Sequence, residues 1–275
     1  MNDLQRAIFD IFQAYVDICD TLHLRYFMIN GSALGARKYQ GFIPWDDDID
    51  VAMPREDYEI FCSRAQSMLP SRIFVQNYKT DRQFPHPYAK LRNSDTTFLE
   101  SGVEHLEMNH GIWMDIFPLD GYPEENKQVR TLKIRKRILT WKLCCAFRDK
   151  SSLKIRMRNS IFRAIGFHRH TAETLVKLDH IVSRYGENQQ MWCNHGAATQ
   201  QKSCIPREYY GKGIRMQFEG RDVVVPEKID DYLKLLYGEW EKELPREKQR
   251  SHHKYVICDL NLPYSDYLVS RKDLV

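Results

Sequence analysis

Four aspartates fall within five consecutive positions in the run Ile43-Pro44-Trp45-Asp46-Asp47-Asp48-Ile49-Asp50-Val51. Side chains alternate along a strand, so an extended backbone from Asp46 onward places Asp46, Asp48 and Asp50 on one face and Ile49 and Val51 on the other. Carboxylates crowded on one face repel one another, and at neutral pH they stay ionised together only where a cation joins them. A hard, all-oxygen donor set suits Mg²⁺, with Mn²⁺ as the other candidate. The spacing also matches the first three ligand positions of a calcium loop. That loop, however, needs Gly where Val51 stands and Glu where Asp57 stands. A solvent-exposed acidic turn is the bland alternative, and it leaves the interleaving of acids with apolar strand residues unexplained.

Upstream, Gly31-Ser32 sits where a strand (Arg25–Ile29) gives way to a helix. Glycine lets a backbone approach a phosphate, which the Ser hydroxyl and the helix N-terminal amides can hold. Gly35, one helical turn on, allows close packing. A further carboxylate would complete such a site. Asp115 lies between Met114 and Ile116 in the apolar run Ile112–Pro118, where an acid is costly unless bonded or on a metal. Asp120 is the alternative, although Leu119-Asp120-Gly121 reads as a turn.

The elements that must position these groups follow from periodicity. Apolar residues from Leu4 to Leu22 predict a long first helix. Ser32 can cap a helix running to about Gln40 that ends at Gly41. Strands are expected at Ile49–Met53, near 73–78, 87–92 and 96–100, and at Ile112–Pro118, with a helix from Arg55 to Leu69. Residues 125–186 look mostly helical. A hairpin turns at Glu219-Gly220, Pro226 opens a helix to Tyr237, and the charged tail from Glu239 to His253 is helical in part. The expected fold class is α+β (mixed α/β): a nucleotide-site core over 1–124, then a mostly helical subdomain over 125–275 with the hairpin at 215–225.

The 275 residues are 43% apolar and 28% charged, in the globular range. No apolar run is long enough for a membrane span, and the N-terminus lacks signal-peptide order, so a soluble, cytoplasmic protein is expected. Seven cysteines at irregular spacing, without CxxC, fit reduced thiols rather than a disulfide framework. Charge is uneven. Lys127–His170 holds 14 Lys/Arg against one acid, a net of +13, so the rest of the chain carries −9 of the overall +4. Apolar residues interleaved with these cations fit amphipathic helices lying on a core or on an anionic membrane surface. Nucleic acid is the third option, but no helix-turn-helix, zinc-finger or RNP pattern occurs and no such partner is expected. His252-His253 and His168-x-His170 lack partner cysteines for zinc.

The stretches Asn30-Gly31-Ser32-Ala33-Leu34-Gly35-Ala36-Arg37 and Gly41-Phe42-Ile43-Pro44-Trp45-Asp46-Asp47-Asp48-Ile49-Asp50 resemble the LicD family of phosphotransferases. So do Asp115-Ile116-Phe117-Pro118-Leu119-Asp120, Leu236-Tyr237-Gly238 and Leu244-Pro245 through His252-His253. That family includes bacterial phosphocholine transferases, is related to fukutin and fukutin-related protein, and belongs to the polymerase-β-like nucleotidyltransferase superfamily. The resemblance implies a nucleotidyltransferase fold, Mg²⁺, and transfer of a substituted phosphate from a CDP-activated donor to a sugar hydroxyl. It places the metal on Asp46, Asp48, Asp50 and Asp115, with Asp115 as base, and the donor phosphate on Gly31 and Ser32. Arg37, Lys90 and Arg92 are candidate phosphate neutralisers, with ordinary surface charge as the alternative. The implied donor is CDP-choline, or CDP-ribitol or CDP-glycerol in related members. The implied acceptor is an anionic or lipid-linked glycan such as a teichoic acid precursor, which the 127–170 segment could meet at the inner membrane face. Trp45 and Trp113 are candidates for a choline cage, or else core rings. Two rivals remain. A glycosyltransferase also uses DxD, but the upstream Gly-Ser argues against it. A non-enzymatic nucleic-acid module is at odds with the intact carboxylate set.

Overall fold

Apolar side chains recurring every three or four residues close Asp3–Leu22 into α1, whose Ile8, Ile11, Phe12, Tyr15 and Ile18 are buried. A reciprocal Asn2–Gln5 capping box starts this helix. The computed structural model describes residues 1–147, 153–166, 170–196, 203–251 and 253–272. After α1 come β1 (Phe27–Met28), α2 (Asn30–Tyr39), β2 (Asp50–Pro54), α3 (Arg55–Arg64), β3 (Ile73–Gln76), β4 (Ala89–Asn93), β5 (Thr97–Glu100) and β6 (Ile112–Tyr122). Next are α4 (Asn126–Leu143), α5 (Leu153–Ala164), α6 (Thr171–Val182), β7 (Met191–Asn194), β8 (Cys204–Pro206) and α7 (Arg207–Tyr210). The chain continues with β9 (Ile214–Phe218), β10 (Arg221–Val225), α8 (Ile229–Tyr237), β11 (Tyr255–Asp259) and α9 (Tyr264–Lys272).

The architecture is mixed α+β. One sheet runs β1-β2-β6-β4-β3, and β7 and β8 extend it from the far end of β6. β6 is the spine, pairing parallel with β2 and antiparallel with β4 and β7. It is buried from Ile112 to Gly121, which is why it reads as a continuous apolar run rather than an alternating one. α1 and α3 meet on one face, where Tyr15 lies 5.0 Å from Phe61. The sheet draws on both expected segments, since β7 and β8 lie beyond residue 125. Likewise β11 pairs with β5 in a separate ribbon. A smaller apolar cluster of Leu132, Leu143, Leu175, Leu178 and Val182 joins α4 to α6.

Several local expectations are corrected. β2 begins at Asp50, so Asp46 and Asp48 lie on an irregular lead-in rather than in a paired strand. α2 starts at Asn30 without a side-chain cap. At its end the left-handed residue is Gln40 (φ 53°), not Gly41. Asp120 is a strand residue of β6, fully buried against Arg55, not a turn. The tail holds one short 3-10 turn at Arg246–Lys248 and then β11. Cys193 and Cys204 face each other across β7 and β8 and form a disulfide, against the expectation of reduced thiols throughout. Cys19, Cys62, Cys144 and Cys258 are free.

The β9–β10 hairpin turns at Glu219 (φ 51°) and Gly220 (φ 80°), two left-handed residues that suit a tight hairpin. It docks on the first helix. Phe218 is fully buried with ring centroids 5.1 Å from Phe42, 6.1 Å from Phe12 and 6.2 Å from Phe9. Glu219 accepts from the Phe42 amide at 3.0 Å, pinning the segment that leads into the acidic run. Phe218→Ala is therefore expected to destabilise the protein by about 3–5 kcal/mol in chemical denaturation. A cost below about 1 kcal/mol would show that the hairpin is not part of this core.

Candidate active site

Parallel register sets Asp50 of β2 directly opposite Asp115 of β6, and antiparallel register sets Lys90 of β4 opposite Asp115 on its other side. Three adjacent strands thus present Asp50, Asp115 and Lys90 in one row on one face, with neighbouring strands about 4.8 Å apart. Asp115 is buried, and its Oδ1 lies 3.2 Å from Lys90 Nζ yet accepts no well-aligned hydrogen bond. Burial pushes its carboxyl above the ordinary range, although Lys90 opposes this. Asp50 is likewise raised, by burial and then by Asp48 and Asp115.

Asn30 and Ser32 hold Asp50. The Asn30 amide donates to Asp50 Oδ2 at 2.8 Å, and Ser32 Oγ accepts from the Asp50 backbone N–H at 2.8 Å. Asn30 adopts φ 51°, a left-handed conformation that Asn tolerates better than most residues. The structure thus places Ser32 under Asp50, at the start of α2 where the backbone amides gather. A Cβ on Gly31 would come 2.7 Å from Asp46 Oδ2, so the glycine is what admits that carboxylate to the helix terminus. A Cβ on Gly35 would meet Gly41 O at 2.5 Å, so close packing is required there as well.

The acidic lead-in is held from both ends of the chain. Gln5 of α1 donates to Asp46 O at 2.9 Å. Ser251 and His253 of the tail bond Asp47, His253 Nδ1 lying 2.9 Å from Asp47 Oδ1, while His253 Nε2 is 3.8 Å from Asp48 Oδ2. Burial pushes Asp48 up to about 8, with Asp46 adding to it. Burial, Asp50 and Asp47 push Asp46 up to about 6. Asp47 goes the other way: burial would raise it, but the hydrogen bonds from His253 and Ser251 pull it down. Burial would lower His253, but its bond to Asp47 and the charge of Asp48 lift it to about 9.

Lys90 and Arg92 share a face, as expected, but both are engaged internally. Arg92 is fully buried and donates to Gln76 Oε1 at 2.6 Å, Gly111 O at 2.7 Å and Glu100 Oε2 at 2.9 Å. Lys90 reaches Glu100 at 3.4 Å and lies 3.9 Å over the Trp113 ring. Glu100 is held far below the carboxylate range by these two cations despite its burial. Arg37 lies elsewhere, pairing with Asp230 at 2.9 Å behind Trp240. Asp120 pairs with Arg55 and takes no part in the row. His252 and His168 lie outside the described residues, as does part of the 127–170 segment. Sequence reasoning missed Asn30, Glu100 and the grip of His253 on the acids. Only the adjacency of Asn30 to Gly31-Ser32 offered a signal.

A cavity of about 340 Å³ opens onto Gly31, Asp46, Asp48 and Asp50 and continues between aromatic side chains. Among the described residues, no three carboxyl, imidazole or thiol groups are already closed around a single point. The arrangement is an open acidic cluster. Its chemistry nonetheless fits a hard divalent ion, because the carboxyls of Asp46, Asp48 and Asp50 line one cavity and each raises the pKa of a neighbour.

The pKa directions fix a pH dependence. Asp46 and Asp48 titrate higher in the folded chain than unfolded, so the native state binds extra protons between about pH 4 and 8. Stability from that source is present at the acidic end and is lost as pH rises. His253, raised to about 9, acts in the same direction. Desolvation shifts His86, His110 and His195 down, and these act the opposite way below about pH 6.5, so the comparison is with a variant. With EDTA present, the thermal midpoint of wild type should fall relative to that of Asp48→Asn between pH 5 and pH 8, and a difference that is constant or grows in favour of wild type would contradict the crowding.

Residues 23–141 match the LicD/FKTN/FKRP nucleotidyltransferase domain family. The chain is 28% identical over 269 residues to the lipopolysaccharide cholinephosphotransferase LicD of Haemophilus influenzae, covering 92% of this chain and 96% of that protein. It is also 34% identical over 103 residues to an uncharacterised protein of Rickettsia prowazekii, covering 37% of this chain and 35% of that one. Every acid of the row, from Asp46 to Asp115, falls inside the matched domain. The chain thus carries a region similar to this family across the whole acid set, and it resembles a cholinephosphotransferase over most of its length.

Proposed function

We propose that this enzyme transfers phosphocholine from CDP-choline to a sugar hydroxyl of a surface glycan, with lipopolysaccharide or a teichoic acid precursor as acceptor. The observation that carries this reading is the row Asp50–Asp115–Lys90 lying beside Asp46 and Asp48 at the start of α2. Similarity to the Haemophilus cholinephosphotransferase supports the head group. Asp48 and Asp50 would hold Mg²⁺ (or Mn²⁺), with Asp46 and Asp115 able to share it. Such an ion would neutralise the donor diphosphate and lower the pKa of the acceptor hydroxyl.

The chain's own groups do the rest. Backbone amides at Gly31 and Ser32 receive a donor phosphate at the α2 terminus. Asp115 takes the acceptor proton, and burial, which raises its carboxyl above the ordinary range, favours that step. The acceptor oxygen bonds to the phosphorus bearing choline, the bond to the CMP oxygen breaks, and CMP leaves with that electron pair. Lys90 offsets charge on Asp115 from the far side, and Asn30 fixes the orientation of Asp50.

Asp48→Asn, Asp50→Asn and Asp115→Asn should each lower CMP release at least about 100-fold. The panel CDP-choline, CDP-ribitol and CDP-glycerol, with a UDP-sugar as control, decides the donor. Polyol preference would move the reading to polyol-phosphate transfer, and UDP release would move it to a glycosyltransferase. Full activity in Asp50→Asn would overturn the mechanism.

Membrane contact has its own support. On α4, Ile134, Ile138 and Trp141 are 52%, 49% and 42% exposed, on the face opposite buried Leu132, Lys136 and Leu143. Exposed Lys127, Arg130, Lys133, Arg135 and Arg137 surround that stripe. Met157 and Ile161 on α5 and Ile165 just beyond it are also about 60% exposed. Two exposed apolar stripes, that of α4 ringed by cations, suit the surface of an anionic bilayer, at about 1 kcal/mol per nearby cation. No helix among the described residues is long and apolar enough to cross a membrane. The protein should float with phosphatidylglycerol vesicles in low salt, and Ile134→Asp with Ile138→Asp should abolish it. Salt-insensitive or absent flotation would remove this contact.

A further inference from the structure

The cavity beside the acids runs on into a box of aromatic rings that the transfer chemistry does not use. Tyr39 at the end of α2, Trp45 in the acidic lead-in, Tyr237 at the end of α8 and Trp240 just beyond it all line this cavity. Tyr39 and Trp45 stand nearly perpendicular, at 78°, with centroids 6.4 Å apart, as two adjoining walls. Gly238 (φ 72°) takes the left-handed turn that separates Trp240 from α8. These rings are not core. Tyr237 is 44% exposed, and Tyr39, Trp45 and Trp240 are half-buried. Trp113, the other ring flagged in the sequence, is buried under Lys90 and does not line the cavity. Of the cavity rings, Trp240 has Arg37 5.4 Å from its centroid and Tyr39 has Lys38 at 5.7 Å, so an ammonium would meet the remaining ring faces.

We propose that Tyr39, Trp45, Tyr237 and Trp240 form the subsite for the methylated ammonium of the donor. The assignment rests on the donor reading above. A quaternary ammonium has no N–H to donate, so it is recognised by aromatic faces and by nearby negative charge rather than by hydrogen bonds. The cavity supplies both. Its two lysines are already committed, Lys38 to Glu243 at 3.0 Å and Lys242 to Glu239 at 2.6 Å, while Asp46 and Asp48 face the same space. Leu34, Ile43 and Leu244 complete the lining with apolar surface that suits methyl groups. The subsite therefore sets head-group choice, while the carboxyl row performs the transfer.

The test compares KM for CDP-choline and CDP-ethanolamine in the full chain, for wild type, Trp45→Phe, Trp45→Ala and Tyr237→Ala. Wild type and Trp45→Phe should prefer CDP-choline, and each alanine variant should erode that preference by roughly 2- to 30-fold, with CMP inhibition unchanged. Quenching of tryptophan fluorescence by phosphocholine or tetramethylammonium, read in EDTA, should weaken in parallel. If both donors lose affinity equally, or if CMP inhibition weakens as much, the rings hold the nucleoside or the fold and the subsite is refuted. If wild type releases CMP from CDP-ribitol or CDP-glycerol but not from CDP-choline, the donor reading itself fails. A wild type that turns over CDP-choline while Trp45→Ala keeps full head-group preference refutes the subsite alone.

Discussion

The parallel pairing of β2 with β6 forces two acids into neighbouring positions. Backbone hydrogen bonds fix that register, so Asp50 and Asp115 cannot separate without breaking the centre of the sheet. Much of the surrounding structure answers the resulting repulsion. Lys90 stands on the outer side of Asp115, Asn30 donates to Asp50, and His253 approaches Asp47 and Asp48. Lys90 and Arg92 are in turn balanced by Glu100, so the positive charges under the row are themselves satisfied. A buried set of this kind contributes little net stability, because desolvation offsets attraction. What it secures is a fixed position for oxygens that would otherwise turn to solvent.

The sheet supplies only half of the acid set. Asp46 and Asp48 stand on irregular chain, where no ladder restrains them. Their positions come from side chains remote in sequence: Gln5 through the backbone of Asp46, and Ser251 and His253 through Asp47. The β9–β10 hairpin anchors the preceding segment through Glu219 and Phe42. Rigid strands thus carry two acids and a stapled loop carries two more.

The acids Asp46, Asp48, Asp50 and Asp115 are legible in the sequence because carboxyls among apolar residues are costly, and cost marks a site. The helix after β1, the hairpin and most core strands follow from periodicity and glycine placement. Other features depend on partners that no local pattern announces. Asp120 looks like a turn residue until Arg55, 65 positions away, is seen to pair with it. β7, β8 and β11 are too short and too mixed to signal themselves, and they exist because an edge of the sheet or ribbon receives them. Lys90 and Arg92 are correctly placed on one face. Their engagement with Glu100 depends on the turn into β5, which alternation cannot reveal.

The grip of His253 on Asp47 joins residues 206 positions apart. During synthesis the acidic loop emerges long before Ser251 and His253, which brace Asp47, and β5 emerges before its partner β11. A nascent chain released early would lack that brace and carry an open strand edge, the kind of edge that invites pairing with other chains. Closure of the acidic loop is therefore a late event in the synthesis of this polypeptide.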